Sequence, residues 1–424
     1  MIAYRRRVID DELDVLLGGI AAISLEGPKG VGKTATAERR AMTAYRLDDP
    51  GQQAVVRADP SRLASGEQPI LIDEWQRMPE SWDVVRRAVD RDATPGRFLL
   101  TGSATPTDAP THSGAGRIVT LRMRPLTTYE RGVGAPSVRL SDLLSGRRPP
   151  IFGATMVSLE DYAAELVASG FPGMRQSADR ALRARLDGYL DRIIEHEFPD
   201  LGRTVRAPAT LRRWMTAYAA ATSTTASYET IRDAATGGRG EKPARSTTQP
   251  YVDILERVWI VEPVPAWLPT RNHIARLSLP PKHQLADPAL AARLLGVGMD
   301  ALLDGRSTGP AIPRDGTLLG ALFESLATLD VRTYAQSAEA TVGHLRTRGG
   351  EREVDLIVAR GDQRVVGIEV KLTRTVGEGD VRNLRWLQAQ LGDDLLDAVV
   401  ITTGPEAYRR PDGIAVIPLA LLGP

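Results

Sequence analysis

The sequence predicts an α/β protein in three parts: a parallel-sheet domain, a mostly helical middle region, and a smaller α/β domain at the C-terminal end. Three observations predict it. Through about residue 130, short apolar runs alternate with helical stretches, the order that builds a parallel sheet. From about Leu159 to Leu303, apolar residues recur at helical spacing. From Gly316 onward, one helix is followed by three strand-like runs, a helix and another strand. A chain of 424 residues has room for about two to four domains.

In the first part, Ala21–Leu25 reads as a strand running into a Gly-rich loop, and Thr34 to Tyr45 as a helix. Ile70–Asp73 and Phe98–Thr101 are buried-strand candidates, and Ile118–Met123 is a further strand. Between Arg131 and Phe152 the composition shifts to Gly, Pro, Ser and Arg, which reads as a linker. Tyr162–Ser169 and Ala181–Glu197 carry helical spacing. Thr225–Ala235, a Gly-rich turn, Ser246–Arg257 and then Val258–Val264 give helix, loop, helix, strand, the order of a winged helix. The last part contains a helix over Leu318–Leu329, strands over Val342–Arg346, Glu353–Val358 and Arg364–Leu372, a helix over Asp380–Gln390, and a strand over Leu396–Thr402. The expected boundaries are 1–130, a linker over 131–158, 159–310, and 311–424.

Composition narrows the class. Hydrophobic content of 42% and charged content of 25% are those of an ordinary globular protein. No apolar run of signal-peptide or membrane-spanning length occurs, so no membrane partner and a cytoplasmic location are expected. The chain has no cysteine, which excludes disulfides and thiolate metal sites. Net charge is +1, so any nucleic-acid binding must come from local patches. Of the 54 basic residues only five are lysine: Lys29, Lys33, Lys242, Lys282 and Lys371. A chain that uses arginine almost everywhere retains lysine where a compact ammonium is needed. Lys33 and Lys371 are assigned chemistry by recognisable patterns, Lys29 reads as a loop-surface residue within the first of them, and Lys242 and Lys282 carry no assignable chemistry.

The first pattern is Gly27, Pro28, Lys29, Gly30, Val31, Gly32, Lys33 and Thr34, a Gly-x-x-x-x-Gly-Lys-Thr run between a strand and a helix. Backbone N–H groups of such a loop and of the following helix surround phosphates. Lys33 is expected to reach the β- and γ-phosphates of ATP, and the Thr34 hydroxyl to bind Mg²⁺. Asp73, ending the run Ile70–Asp73, is placed to bind Mg²⁺ as well, and Glu74 to orient the attacking water. These residues, with Leu71-Ile-Asp-Glu-Trp75 and Leu100-Thr-Gly-Ser-Ala104 in the same order, resemble the AAA+-type P-loop ATPases over Tyr4 to about Glu130. The resemblance implies a γ-phosphate sensor at Thr101 or Ser103. It also implies an arginine finger at Arg117, acting on a neighbouring subunit of a ring-forming homo-oligomer; a plain surface role for Arg117 is the other reading. Tyr162–Pro172, Pro265-Ala-Trp267, Asp287–Leu290 and Gly320–Glu324 look like a prokaryotic subgroup of these ATPases with a helical region and a nuclease-like C-terminal domain.

The second pattern is Asp355 followed by Glu369-Val-Lys371. Alternate side chains of a strand share a face, so Glu369 and Lys371 point the same way, and a neighbouring strand can bring Asp355 beside them. Two carboxylates and an ammonium can bind Mg²⁺ and set a water against a phosphodiester. This resembles the PD-(D/E)xK nucleases, a restriction-endonuclease-like α/β fold, over about Gly316 to Leu422, with Glu324 as the added acid from the first helix. Val354 stands where these enzymes often have proline. Whether such a domain still cuts stays open at this level, because a nuclease fold can persist as a binding fold.

In the middle region, Arg245, Ser246, Thr247 and Gln249 open the second helix of the winged-helix pattern, the part that meets DNA in such folds. Arg203, Arg206, Arg212 and Arg213 would add phosphate contacts, as would Arg346 and Arg348 ahead of Asp355. An ATPase lid or interaction surface is the competing role for this region. Two functions are therefore expected. One is an ATP-hydrolysing AAA+ DNA-processing protein, of helicase-like translocation or branched-DNA remodelling type, with Mg²⁺-dependent cleavage undecided. The other is a nucleotide-switched regulatory or defence interaction protein with an inactive nuclease fold.

Overall fold

A computed structural model describes residues 4–103, 115–198, 207–236, 244–269, 279–303, 316–347 and 349–424. The first domain runs α1 (Val8–Leu17), β1 (Ala22–Glu26), α2 (Lys33–Glu38), β2 (Thr43–Arg46), α3 (Pro50–Ala58), β3 (Ile70–Asp73), α4 (Glu80–Arg91), β4 (Phe98–Gly102) and β5 (Ile118–Arg122). Its five strands lie parallel in the order β2-β3-β4-β1-β5. Central strands β3 and β4 are buried along their whole length, which is why their residues form unbroken apolar runs. The helix expected over Thr34–Tyr45 stops at Glu38. Thr43–Arg46 alternates half-buried and exposed positions, period two, and pairs with β3 as the sheet's edge.

The chain continues through α5 (Thr128–Arg131), β6 (Val138–Arg139), α6 (Leu140–Leu144) and β7 (Phe152–Ala154). The helical middle holds α7 (Leu159–Ala168), α8 (Pro172–Arg175), α9 (Asp179–Arg192), α10 (Pro208–Ala220), α11 (Tyr228–Ala234), α12 (Arg245–Arg257), α13 (Pro288–Leu294) and α14 (Met299–Leu303). The strand expected at Val258–Val264 does not form. Trp259 turns the chain with φ of 62°, and among the described residues isolated bridges follow: Val261 with Leu285 and Val264 with Lys282, antiparallel, and Ala266 with His344, parallel. Pro263 and Pro265 lack the N–H groups a longer ladder would need.

The last part holds α15 (Gly316–Ser337), β8 (Thr341–Arg346), β9 (Glu353–Ala359), β10 (Val365–Val370), α16 (Arg382–Leu391), β11 (Leu395–Thr402), β12 (Glu406–Arg409), β13 (Ala415–Pro418) and β14 (Leu422–Gly423). Helix α15 continues eight residues past the expected Leu329, because Val331, Tyr334 and Ala335 are as buried as Leu322 and Leu326 and extend its packed face. A seven-stranded sheet has the order β7-β12-β13-β11-β10-β9-β8. Strands β8, β9 and β10 are antiparallel, while β10, β11 and β13 are parallel. The expected linker at 131–158 is built into this domain: β7 pairs with β12, and β6 with β14. Its polar composition masked Val138, Leu140, Leu143 and Leu144, all of which are buried.

One apolar core runs through all three parts, from Leu13 and Ile23 past Tyr162 and Trp214 to Leu322, Ile368 and Val399. Helix α15 is central to it, packing on α1, α7 and α13 as well as on β8. Among the described residues no helix is long and apolar enough to cross a membrane.

Candidate functional site

The loop after β1 is shaped by sterics. A Cβ on Gly27 would lie 2.2 Å from the Met123 carbonyl oxygen, and Gly30 and Gly32 hold φ of 86° and 102°. Val31 is buried, and the Lys33 ammonium donates to the carbonyls of Gly27 at 2.8 Å and Pro28 at 3.0 Å. Burial pushes Lys33 down to about 8, with Glu74 the leading opposing charge. Lys29 points outward, 3.7 Å from Glu197.

Parallel strands deliver their C-terminal ends to this loop. The Thr34 hydroxyl donates to Asp73 Oδ1 at 2.8 Å, and the Thr101 hydroxyl donates to the same oxygen. Thr101 also accepts from the Glu74 backbone N–H at 3.1 Å. Glu74 sits at φ of 53°, and its Oε2 accepts from Gln76 Nε2 at 2.5 Å and Ser103 Oγ at 3.3 Å. Thr101 therefore touches the Asp73 carboxylate, whereas Ser103 touches Glu74. Burial raises the Asp73 carboxyl above its ordinary value. Two cavities flank the loop: one of about 320 Å³ beside Gly30, Ser103, Tyr189 and Arg192, and one of about 580 Å³ beside Tyr4, Arg7, Gly32 and Thr36.

Arg117 precedes β5, at the opposite end of the sheet from this loop, because Ile118 pairs with Ala22 and Arg122 with Glu26. Its Nε binds Asp90 at 2.8 Å on the surface. It cannot reach the phosphate loop of its own chain.

The segment that follows β5 ties the loop to the rest of the molecule. Buried Arg7 donates to Val31 O at 2.8 Å, Arg124 O at 2.7 Å and Glu130 Oε1 at 2.8 Å. Arg124 reaches Glu262 of the middle region at 2.6 Å and Gln336 of α15 at 2.9 Å. Arg122 lies over the Trp259 ring at 3.9 Å and 3.6 Å from Glu262, with Arg332 of α15 3.8 Å from the same carboxylate. Burial alone would raise Glu262, but Arg124, Arg332 and Arg122 together hold it far below the usual carboxylate range. Asp330 of α15 accepts from the Thr128 N–H at 3.0 Å and from its hydroxyl.

The C-terminal carboxylates also meet. Ile368 pairs with Leu356, so the next position of the antiparallel register sets Glu369 opposite Asp355. Asp355 Oδ2 accepts from the Val370 N–H at 2.9 Å. Lys371 Nζ lies 2.5 Å from Glu369 and 4.0 Å from Asp355. Glu324 of α15 joins them, but through a residue to which the sequence assigns nothing. Lys282 Nζ lies 2.9 Å from Glu324, 3.1 Å from Asp355 and 3.2 Å from Glu353. Burial, then Asp355, pushes Glu324 up to about 8, and the same two causes raise Glu369. Burial would raise Asp355 too, yet Lys282 and Lys371 hold it below its ordinary value.

Asp355 and Glu369, expected to hold Mg²⁺, are engaged with ammonium groups here, and Glu369 Oε1 is buried without a hydrogen-bond partner. Each carboxylate already faces an ammonium, and among the described residues no group of three or more acidic or imidazole side chains is arranged to hold a metal. The phosphate loop differs: the Thr34 hydroxyl and the Asp73 carboxylate converge as hard oxygen donors, which suits Mg²⁺.

Of the expected nucleic-acid contacts, Arg245, Ser246, Thr247 and Gln249 are exposed at the start of α12. Arg346 is engaged by Thr225 at 2.9 Å and Glu353 at 3.5 Å. Arg212 binds Asp191 and Asp187. Arg203, Arg206, Lys242 and Arg348 lie outside the described residues. Sequence reasoning missed Gln76, Arg7, Glu262, Glu353 and Lys282; only Lys282 carried a signal, the scarcity of lysine.

Residues 20–131 match a family described as AAA domain. Residues 159–301 and 319–422 match two families described as Domain of unknown function, DUF8612 and DUF4143. Uncharacterized proteins of Mycobacterium bovis and Mycobacterium tuberculosis are each 29% identical over 405 residues, covering 93% of this chain and 79% of theirs. The Walker-type ATPase PABY2304 of Pyrococcus abyssi is 17% identical, covers 69% of this chain and 96% of its own, and superposes with a TM-score of 0.40. Residues 20–131 are similar to the AAA domain family, and the chain is a P-loop ATPase.

Proposed function

We propose that this ATPase is a nucleotide-operated switch that engages DNA through its middle region, with a C-terminal domain of PD-(D/E)xK-like topology that does not cleave. The observation that carries the switch is the segment Arg122–Arg131. It leaves β5 beside the phosphate loop and is gripped by Arg7, Glu262, Asp330 and Gln336, which belong to the N-terminal, middle and C-terminal parts. A change at the loop is felt by all of them, because packed elements with shared polar networks move between discrete arrangements.

In this reading Lys33 neutralises the β- and γ-phosphates, Glu74 orients the attacking water, and Thr101 and Ser103 report the γ-phosphate to Asp73 and Glu74. Thr34 and Asp73 would hold Mg²⁺, which supplies charge neutralisation on the phosphate oxygens. Arg117 acts on the site of a neighbouring subunit, which requires a ring or filament.

DNA engagement is supported by the exposed polar start of α12 and by the order of helices α11 and α12, the two helices of the winged-helix reading, although its strand is reduced to isolated bridges. The order of α15, β8, β9, β10, α16 and β11 supports the nuclease-like topology. Fluorescence anisotropy with junction and duplex DNA, with and without an ATP analogue, tests the proposal. Nucleotide-dependent affinity that weakens for Arg245→Ala is expected. If no DNA binds in any nucleotide state while ATP is hydrolysed, the DNA part fails and a protein-directed switch replaces it.

A further inference from the structure

Lys282 is the most confined charged side chain at the C-terminal carboxylates. It is fully buried, and its ammonium has three partners, Glu324, Glu353 and Asp355, at 2.9 to 3.2 Å. An ammonium has three N–H donors, so each can face one carboxylate. Its backbone is equally fixed. Lys282 exchanges both hydrogen bonds with Val264, at 2.9 and 2.8 Å. Next to Val264, the Pro265 carbonyl accepts from the His344 N–H at 2.9 Å, which stitches this pair of segments to the edge strand β8. The side chain thus enters the sheet domain from a segment of the middle region, on a rigid support.

We infer that Lys282 is the resident cation of this cluster, closing the carboxylates to a divalent metal and pinning the middle region to the sheet domain. Lys371 serves Glu369 at 2.5 Å and lies 4.0 Å from Asp355. Glu324, Glu353, Asp355 and Glu369 therefore share two ammoniums, with Arg346 3.5 Å from Glu353, and Glu369 Oε1 is buried without a hydrogen-bond partner. Mg²⁺ demands oxygens near 2.0–2.1 Å in octahedral geometry. The Glu324, Glu353 and Asp355 Oδ1 oxygens are spaced around the Lys282 ammonium, and a metal can take the centre they surround only if Lys282 leaves. This goes beyond the ATP-switch reading and does not rest on it.

Mn²⁺ binding to the full chain without nucleotide, followed by electron paramagnetic resonance, tests the inference. Asp73→Asn is placed in every variant to remove metal binding at the phosphate loop. That background should show no stoichiometric Mn²⁺, Lys282→Met should gain one ion per chain, and adding Asp355→Asn should abolish the gain. An ion bound with Lys282 intact and lost with Asp355→Asn would overturn the inference, as would a folded Lys282→Met variant that takes up none. If Lys282→Met does not fold, Lys282→Met with Glu324→Gln and Glu353→Gln, which strands fewer charges, should regain solubility and cooperative melting. Failure to do so would show that the packing of the lysine stem, not the ion cluster, pins the two parts.

Discussion

Replacing Glu262 by glutamine removes the one anion shared by Arg122, Arg124 and Arg332 while keeping the side chain's size. Arg124 makes three contacts of 2.6 to 3.2 Å with the carboxylate, a fork on two oxygens. Glutamine can keep one acceptor, so one charge-assisted hydrogen bond is lost, about 1.5–3 kcal/mol. Three guanidiniums then share a mostly buried site in which Glu26, beside Arg122, remains as an anion, and breaking a buried pair costs about 3–5 kcal/mol in full. Arg332 keeps its bonds to the Glu262 and Pro263 carbonyls, which softens the loss. A net destabilisation of about 3 kcal/mol is expected. With a urea slope of about 3 kcal/mol/M, the unfolding midpoint should fall by roughly 1 M. Tryptophan fluorescence is the assay, since Trp259 lies under Arg122. A midpoint shift below about 0.2 M would refute the reasoning that the cluster depends on this anion.

Three further outcomes follow from the geometry. Gly27→Ala should strongly destabilise the first domain and abolish nucleotide binding, because the new methyl meets backbone at 2.2 Å with nothing flexible to yield; a soluble variant with normal ATP affinity would contradict the loop geometry. Glu74→Gln should retain ATP binding and lose hydrolysis by about 10² or more, whereas Lys33→Ala should lose both, as read by nucleotide affinity and single-turnover phosphate release. Asp330 is pushed up to about 7 by burial, so the native state holds its proton more tightly than the unfolded chain. That stabilisation is complete below pH about 4 and is lost as pH rises to about 7, up to roughly 4 kcal/mol, and Asp330→Asn should flatten the melting temperature across that window.

Much of the phosphate loop was legible because its chemistry is local. Three glycines within eight consecutive residues need positive φ or close backbone approach, and Asp73 and Glu74 follow an apolar run whose burial on both faces is written in its composition. The pairing of Asp355 with Glu369 was legible for a similar reason, since strand periodicity and an antiparallel neighbour bring them opposite one another. Errors arose where local composition and tertiary demand diverged. Residues 131–158 look like a linker, yet they supply an edge strand and a helix to a sheet formed mainly by residues more than 200 positions later. Val258–Val264 looks like a strand until its prolines limit it to two bridges.

Sequence by itself determined the nucleotide chemistry and the identity of the acidic residues, because both follow from residue type at short spacing. It also marked lysine as a residue this chain uses sparingly. What each remaining lysine does was decided by tertiary structure. Lys282 and Asp355 are 73 positions apart, and the bridge to Val264, with the contacts of Pro265, Trp267 and Pro280 to His344 of β8, brings them within 3.1 Å. An ammonium among three carboxylates turns an apparent metal site into an internal ion cluster, because charge compensation depends on what else is buried there and not on the carboxylates alone.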